Sequence, residues 1–266
     1  MNQITKRSRL HQGYGRNGPD YRFGDQVDFS EIKLTFGFKT MTIGSWVTPE
    51  ESRLSANLIY DSLADLAQIL GVPPTVIGLR GTLNFAFGTG GRPGVQAHYA
   101  PTARTLALAK NAGGGALAHE WWHAFDHYIC QHLIKQPTQA FASSAWLLST
   151  NTIAHPLNNI LSDFYAAVLL TENKAQPNEY FHVAKLADKA NKQVYYALPE
   201  ELTARMFEAV IAYHDDIENL FLAGGIKGSE QEKLGIYPLQ RHRTHCAKII
   251  HRYFSELGTI LYQKQS

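Results

Sequence analysis

The apolar residues follow two different spacings in the two halves of the chain. From Val27 to Trp46 and from Pro73 to Lys110, short β-prone runs are separated by glycines and polar residues, which is typical of strands. The runs that predict strands are IKLTFGF, MTIGSW, TVIGL, LNFAFG, VQAHY and TLALAK. From Gly113 onward the spacing is helical almost to the end, with breaks at prolines and glycines. Strands first and helices afterwards predict an α+β fold.

One amphipathic helix is predicted inside the strand-rich half. Thr48, Pro49 and Glu51 form a helix start with an N-cap, a proline in the first position and a capping-box glutamate. Leucines and isoleucines then repeat at three and four residues until Gly71. The glycine-rich stretch GTGGRPG at 88–94 predicts a loop, because it lacks the lysine of a phosphate-binding loop.

Composition excludes several classes of protein. With 266 residues, 44% hydrophobic and 11% aromatic, the chain has enough apolar surface to fold. Its longest apolar run, Phe164 to Leu170, is far shorter than the ~20 residues that span a bilayer, so no membrane association is expected. The first residues contain no apolar stretch typical of a secretory signal, and we expect a cytoplasmic protein. The two cysteines are too few for a disulfide framework.

Basic residues concentrate near the two ends of the chain. Residues 1–24 predict a flexible basic arm, and residues 25–266 predict a single domain. A second cluster lies in the helical segment 241–254, and comprises Arg241, Arg243, Lys248 and Arg252. Because the net charge is only +2 and no aromatic stacking platform is recognisable, nucleic acid is an unlikely partner. The oligomeric state is not predicted.

Histidine is frequent, with 12 residues, and two of them have a functional spacing. In GGGALAHEWWHAFDHYI, His119 and His123 form an HExxH motif inside a helical pattern. Both imidazoles face one side of such a helix and can bind one metal ion, while Glu120 lies about 100° around the helix. Glu120 is then placed to act as general base on a metal-bound water. The alternative is that these histidines only pack or face solvent.

Two histidines need at least one further protein ligand. The extended HExxHxxGxxH pattern is absent, because Asp126 and Ile129 occupy the positions of the glycine and the third histidine. A thermolysin-like second helix is disfavoured, since Asn159 takes the ligand position and a neutral amide binds zinc poorly.

The better candidate for the third ligand is Glu201, in LPEELTARMFEAVIAYH. Pro199 opens an amphipathic helix, in which Ala204 is the small side chain that lets two helices pack closely around the carboxylate. Glu208, two turns further on, is the alternative, either as ligand or as acceptor for a ligand histidine. Two imidazoles and one carboxylate suit Zn2+ well.

The segments HEWWHAFD and EELTARMFEA resemble the zincin metallopeptidases of the lethal-factor type, whose pattern is HExxHxxD followed by a distant ExxAxxF helix. More closely, the chain resembles the metallopeptidase-like domain of large polyvalent proteins of phages and conjugative elements. It also resembles the bacterial family related to the chloride channel accessory (CLCA) metallopeptidases. The resemblance runs from about Phe36 to Ile211, and residues 137–178 have no clear counterpart.

The resemblance implies a zincin-like fold, with a small mixed sheet packed on the HExxH helix. It implies a gluzincin-type site with His119, His123 and Glu201 as zinc ligands and Glu120 as catalytic base. Asp126 would orient a ligand histidine. The implied activity is zinc-dependent hydrolysis of a peptide or protein substrate.

Lethal-factor-like enzymes also place a tyrosine a few residues before the third ligand, where it stabilises the oxyanion. Tyr195 and Tyr196 are the available matches, and Tyr196 is taken as the candidate. The resemblance further implies that an edge strand, from VQAHYAP or TLALAK, holds the peptide by strand addition. The main alternative is a non-catalytic zinc-binding domain that serves as a protein-interaction module.

Overall fold

The chain has a mixed α+β fold, as predicted, in a computed structural model that describes residues 9–11, 13–89, 97–110, 114–148 and 151–264. The described helices are α1 (Phe29–Phe36), α2 (Pro49–Leu70), α3 (Leu117–Leu133), α4 (Ala142–Leu148), α5 (Pro156–Leu169), α6 (Glu179–Asn191), α7 (Pro199–Ala212), α8 (Glu230–Lys233) and α9 (Gln240–Gln263). The described strands are β1 (Arg16–Asn17), β2 (Thr40–Ile43), β3 (Asn84–Phe87), β4 (Ala97–Ala100), β5 (Thr105–Leu108) and β6 (Glu218–Asn219).

The larger sheet has four strands in the order β2, β3, β5, β4. The first three are parallel, with Met41 opposite Phe85 and Phe85 opposite Leu106. β4 is antiparallel to β5, with Tyr99 opposite Leu106, and lies at the edge of the sheet. Three of the four strands predicted between residues 73 and 110 are confirmed. The fourth, TVIGL at 75–79, is not a strand, and its first two residues belong to a short 3-10 helix at Pro74–Val76.

The strand predicted from IKLTFGF is wrong, because most of this segment belongs to the helix α1. Asp28 caps the helix by accepting from the backbone N–H of Glu31, whose own side chain accepts from Asp28 N–H. Ile32 and Phe36, four residues apart, are both fully buried. This capping box and the helical spacing outweigh the β propensity of the residues. In MTIGSW, residues 41–43 do belong to a strand, β2.

The predicted helix of residues 48–70 is confirmed as α2. Thr48 and Glu51 form its capping box, and Pro49 is its first residue. Gly71 ends it in the left-handed conformation, with φ 66°, which glycine adopts without steric cost.

An aromatic cluster joins α3, α7 and α9. Trp122 stacks on Phe207 with ring centroids 4.7 Å apart, and Trp121 lies 6.0 Å from Phe254. These four rings are fully buried. Because the two tryptophans follow the HExxH glutamate directly, their burial fixes which face of α3 is left for the histidines.

The residues after position 12 do not form the free arm that their composition predicts. β1 pairs with β6, and Arg16 forms an ion pair of 2.7 Å with the buried Asp65. Arg22 forms a second pair of 2.8 Å with Asp61. These carboxylates hold the basic residues against α2. Residues 1–8 of the predicted arm, and 90–94 of the predicted loop, lie outside the described residues.

The basic residues near the C-terminus lie on α9, whose opposite face contributes Cys246, Ile250 and Phe254 to the core. Arg252 pairs with Glu256 on the same helix at 2.8 Å. Arg243 stacks over the ring of Tyr213. Across the described ranges, no helix is both long enough and apolar enough to cross a membrane.

Candidate metal centre

The HExxH motif lies in the first two turns of α3. The imidazoles of its two histidines converge, with Nε2 of His119 and Nε2 of His123 only 3.1 Å apart. The start of the helix is held by the backbone of a later segment: Leu222 accepts from Ala118 N–H at 3.0 Å. Gly114, just before the helix, allows this approach, because a Cβ there would lie 2.3 Å from the Phe221 ring.

Glu201 on α7 brings a carboxylate to the two imidazoles. Its Oε1 is 3.3 Å from Nε2 of His123, and its Oε2 is 3.5 Å from Nε2 of His119. The fully buried Ala204, one turn further along α7, allows the two helices to pack closely, as its small size predicts. One ligand atom from each of the three residues lies within 4.8 Å of the others, so the cluster could hold a metal ion.

The electrostatics of the cluster favour a cation. Burial opposes charge on Glu201, but the adjacent imidazoles of His119 and His123 hold its pKa well below the usual range. Burial would likewise lower the pKa of His119, yet Glu201 and Glu208 raise it to about 10. Oε2 of Glu201 and Nδ1 of His123 are buried without a hydrogen-bond partner. Carboxylates that stabilise positive charge, and a buried oxygen with a free lone pair, fit a metal cation.

Glu208 lies on the far side of His119. Its Oε2 is 3.1 Å from Nδ1 of His119, the ring nitrogen that faces away from the cluster. Tyr237 donates its hydroxyl to the same carboxylate oxygen at 3.0 Å. A carboxylate in this position fixes the tautomer and orientation of a ligand histidine, so the geometry favours Glu208 as an acceptor over Glu208 as a ligand.

Glu120 contacts the edge strand. Its Oε2 accepts from the backbone N–H of Tyr99 at 2.7 Å. Because Tyr99 donates here and not to β5, this N–H lies on the free side of β4. The predicted general base therefore sits between the metal cluster and the open edge of the sheet.

Among the described residues Asp126 forms no hydrogen bond to a histidine, and the orienting role that the resemblance implies stays a prediction. It is fully buried and accepts from the backbone N–H and the hydroxyl of Ser143 at 2.9 and 2.6 Å, and from the hydroxyl of Tyr165 at 2.7 Å. Burial raises its pKa to about 6 against the opposing effect of these donors. Its hydrogen bonds among the described residues connect α3 to α4 and α5, which is a structural role.

The structure brings Tyr195, and not Tyr196, to the cluster. Partial burial and the neighbouring Glu201 carboxylate raise the pKa of Tyr195, which stays 41% exposed. Tyr196 instead lies against the Arg205 guanidinium, 5.3 Å from its ring centroid. Which of the two adjacent tyrosines lies at the cluster depends on the loop geometry, because consecutive side chains of a loop point in different directions.

Sequence reasoning missed the residues that hold this loop. Asp188 accepts from the backbone N–H groups of residues 195, 196 and 197 at 3.1, 2.8 and 2.9 Å. Arg205, buried on α7, donates to the carbonyl of Tyr196, and its Nη1 lies 3.7 Å from Oε2 of Glu201. The pKa of Arg205 is raised, since Tyr180 and Glu201 overcome its burial. No short motif marks these contacts, which connect residues from different elements.

Comparison with known proteins gives one match. Residues 187–261 match the family model described as large polyvalent protein-associated domain 1. No curated protein and no solved structure matches the chain. The matched segment contains Glu201, Glu208 and Tyr237 but not α3. It supports the resemblance to large polyvalent proteins, over a little more than a quarter of the chain.

Proposed function

We propose that the protein is a zinc-dependent peptide-bond hydrolase, acting as a metalloendopeptidase on peptide or protein substrates. The observation that carries the proposal is the convergence of His119, His123 and Glu201, from two helices, beside a glutamate at a sheet edge. Two imidazoles and a carboxylate leave a fourth position open, as catalytic zinc sites do. The match to a domain of large polyvalent proteins is compatible with this but does not specify an activity.

The chain's own residues account for the proton transfers of this reaction. Zinc, when bound, supplies a Lewis acid and lowers the pKa of a coordinated water to about 7. Glu120 accepts a proton from the attacking water and passes it to the leaving nitrogen of the peptide. The hydroxyl of Tyr195 donates to the negative charge that develops on the substrate carbonyl oxygen.

The free edge of β4 is the proposed substrate-binding strand. An extended peptide adds to such an edge through backbone hydrogen bonds, which places its carbonyl groups alongside α3. Tyr99 N–H, which donates to Glu120, places the general base at this edge. Substrate selectivity then comes from side chains next to β4.

Metal analysis tests the proposal first. Purified from zinc-replete medium, the wild-type protein should contain about one zinc per chain, as expected for a three-ligand site. Glu201→Ala should contain none. Glu200→Gln is the matched control, because Glu200 lies on the same helix but bonds to Ser144 at 2.6 Å. Zinc loss in both variants, or zinc in neither wild type nor control, would contradict the assignment.

Turnover separates a peptidase from a zinc-binding interaction module. Glu120→Gln should keep the zinc and lose cleavage of a mixed peptide library, since the variant lacks the base. If the wild type binds zinc and cleaves nothing in that library, the non-catalytic alternative is favoured.

A further inference from the structure

A second group of polar side chains lies beside the metal cluster, at the end of β4. We name it the donor cluster, and it consists of Tyr99 on β4 and His127 on α3, together with Arg104 in the turn that joins β4 to β5. The hydroxyl of Tyr99 is 2.7 Å from Nδ1 of His127. The reaction outlined above uses none of these three side chains.

The donor cluster is continuous with the metal cluster. His127 lies one helical turn beyond His123, and so on the same face of α3. The Phe141 ring contacts both imidazoles, with centroid distances of 5.8 Å to each. A peptide that adds to the edge of β4 near Glu120 therefore passes the donor cluster.

The donor cluster has hydrogens to donate and few acceptors. A tyrosine hydroxyl and a neutral imidazole carry two polar hydrogens, and their mutual bond uses only one. Burial and the charge of Arg104 lower the pKa of His127, which favours the neutral imidazole. Arg104 itself is exposed, and within the described ranges no carboxylate forms an ion pair with it.

We infer that the donor cluster binds a carboxylate of the substrate, and so selects peptides with an acidic group on one side of the scissile bond. The inference rests on the proposed peptidase function, because it assigns a substrate chemistry to the same cleft. A guanidinium and one further N–H or O–H donor suit a carboxylate, which accepts hydrogen bonds only. The carboxylate can come from an Asp or Glu side chain or from a free C-terminus.

Library cleavage tests the inference and distinguishes the two sources. The zinc-loaded full chain is incubated with a proteome-derived peptide library, in one aliquot with free C-termini and in another with amidated ones, and products are identified by mass spectrometry. We expect acidic groups to be enriched about tenfold at one fixed distance from the cut, the size of one charge-assisted hydrogen bond. If the enrichment is also found in the amidated library, the bound carboxylate belongs to an Asp or Glu side chain. If it is lost there, the bound carboxylate is the free C-terminus.

Arg104→Gln should remove most of this enrichment. It keeps an unbranched side chain at a position where φ is 47°. Arg53→Gln is the matched control, because Arg53 is exposed on α2 and is not part of the donor cluster. Arg104→Glu should go further and disfavour acidic peptides. Tyr99→Phe and His127→Phe should each weaken the enrichment without changing the zinc content.

Retention of peptides gives a readout that needs no turnover. Zinc-loaded Glu120→Gln protein is immobilised and the same library is passed over it, with and without the Arg104→Gln change. If the wild type cleaves nothing but acidic peptides are retained through Arg104, the hydrolase proposal fails and the carboxylate site stands. If cleavage or retention occurs without dependence on acidic groups, or if Arg104→Gln and Arg53→Gln behave alike, the inference is wrong.

Discussion

The crossing of α3 with α7 and the junction of α3 with α4 and α5 both bury a carboxylate, and they satisfy it differently. At the junction, Asp126 accepts three hydrogen bonds from two neutral residues. At the crossing, Glu201 faces two imidazoles at 3.3 and 3.5 Å, and one of its oxygens has no hydrogen-bond partner. Both carboxylate oxygens of Asp126 therefore accept hydrogen bonds within the chain, whereas one oxygen of Glu201 can still bind a ligand.

The same contrast appears in the direction of the pKa shifts. Burial dominates at Asp126 and raises its pKa to about 6. At Glu201 the imidazole partners overcome burial and lower the pKa. Burial of an acid is therefore no guide to function by itself. What separates the two is whether the surroundings favour a positive charge and leave atoms free to bind it.

Asp126→Ala tests this comparison with the largest expected effect. It leaves the donors of Ser143 and Tyr165 buried without an acceptor, and we expect the free energy of unfolding to fall by about 3 kcal/mol. Urea unfolding in the presence of a chelator measures it. Ser143→Ala, which removes one hydroxyl, should cost about 1 kcal/mol. The folded Asp126→Ala protein should still bind one zinc; loss of zinc would show that Asp126 acts on a ligand histidine after all.

The opposite pKa shifts predict opposite pH dependences of stability in the metal-free protein. Asp126 has a folded-state pKa of about 6 against an ordinary value of 3.8, so its contribution is fully present below 3.8 and is lost as the pH rises through about 6. Glu201 has a lowered pKa, so its contribution is present above its ordinary value of 4.5 and is lost as the pH falls below it.

Urea unfolding of wild type, Asp126→Asn and Glu201→Gln between about pH 3 and pH 7, in chelator, measures these two contributions. The difference between wild type and Asp126→Asn should shrink with rising pH. The difference between wild type and Glu201→Gln should shrink as the pH falls. If the two stability differences changed in the same direction with pH, the proposed contrast between Asp126 and Glu201 would be wrong.

Glu208→Gln tests whether Glu208 acts as a hydrogen-bond acceptor for His119 or as a metal ligand. Replacing the acceptor behind a ligand histidine typically weakens metal binding by about 10 to 100-fold, and we expect one zinc per chain to remain. Competition with a chromophoric chelator measures the dissociation constant, with Glu200→Gln as control. Complete loss of zinc, as in Glu201→Ala, would instead identify Glu208 as a ligand.

The sequence predicted the parts of the site that depend on local spacing. HExxH places His119 and His123 on one face of a helix whatever the rest of the chain does. The helix of residues 48–70 was predictable for the same reason, because its capping residues and its apolar repeat are contiguous. The β propensity of IKLTFGF predicts a strand, but the capping box that Asp28 and Glu31 provide makes most of it a helix.

The rest of the site depends on contacts between elements that no local pattern specifies. The partners of Asp126 come from α4 and α5, and the loop that presents Tyr195 is held by Asp188, seven residues before it. One residue does follow a local pattern, because His127 repeats the four-residue spacing of His119 and His123. Its position on the same face of α3 could have been predicted, but its bond to Tyr99 could not.

Tyr237→Phe tests the outermost contact of the metal cluster and should have the smallest effect. The variant removes one neutral hydrogen bond to Glu208, of about 1 kcal/mol, so zinc affinity should fall only a few-fold. Tyr213→Phe is the matched control, because Tyr213 donates its hydroxyl to Glu232, away from the metal cluster. In the double variant with Glu208→Gln the two losses should not add, since Tyr237 acts on zinc only through Glu208. Additive losses would mean that Tyr237 influences the histidines by another route, and the chain from Tyr237 through Glu208 to His119 would have to be abandoned.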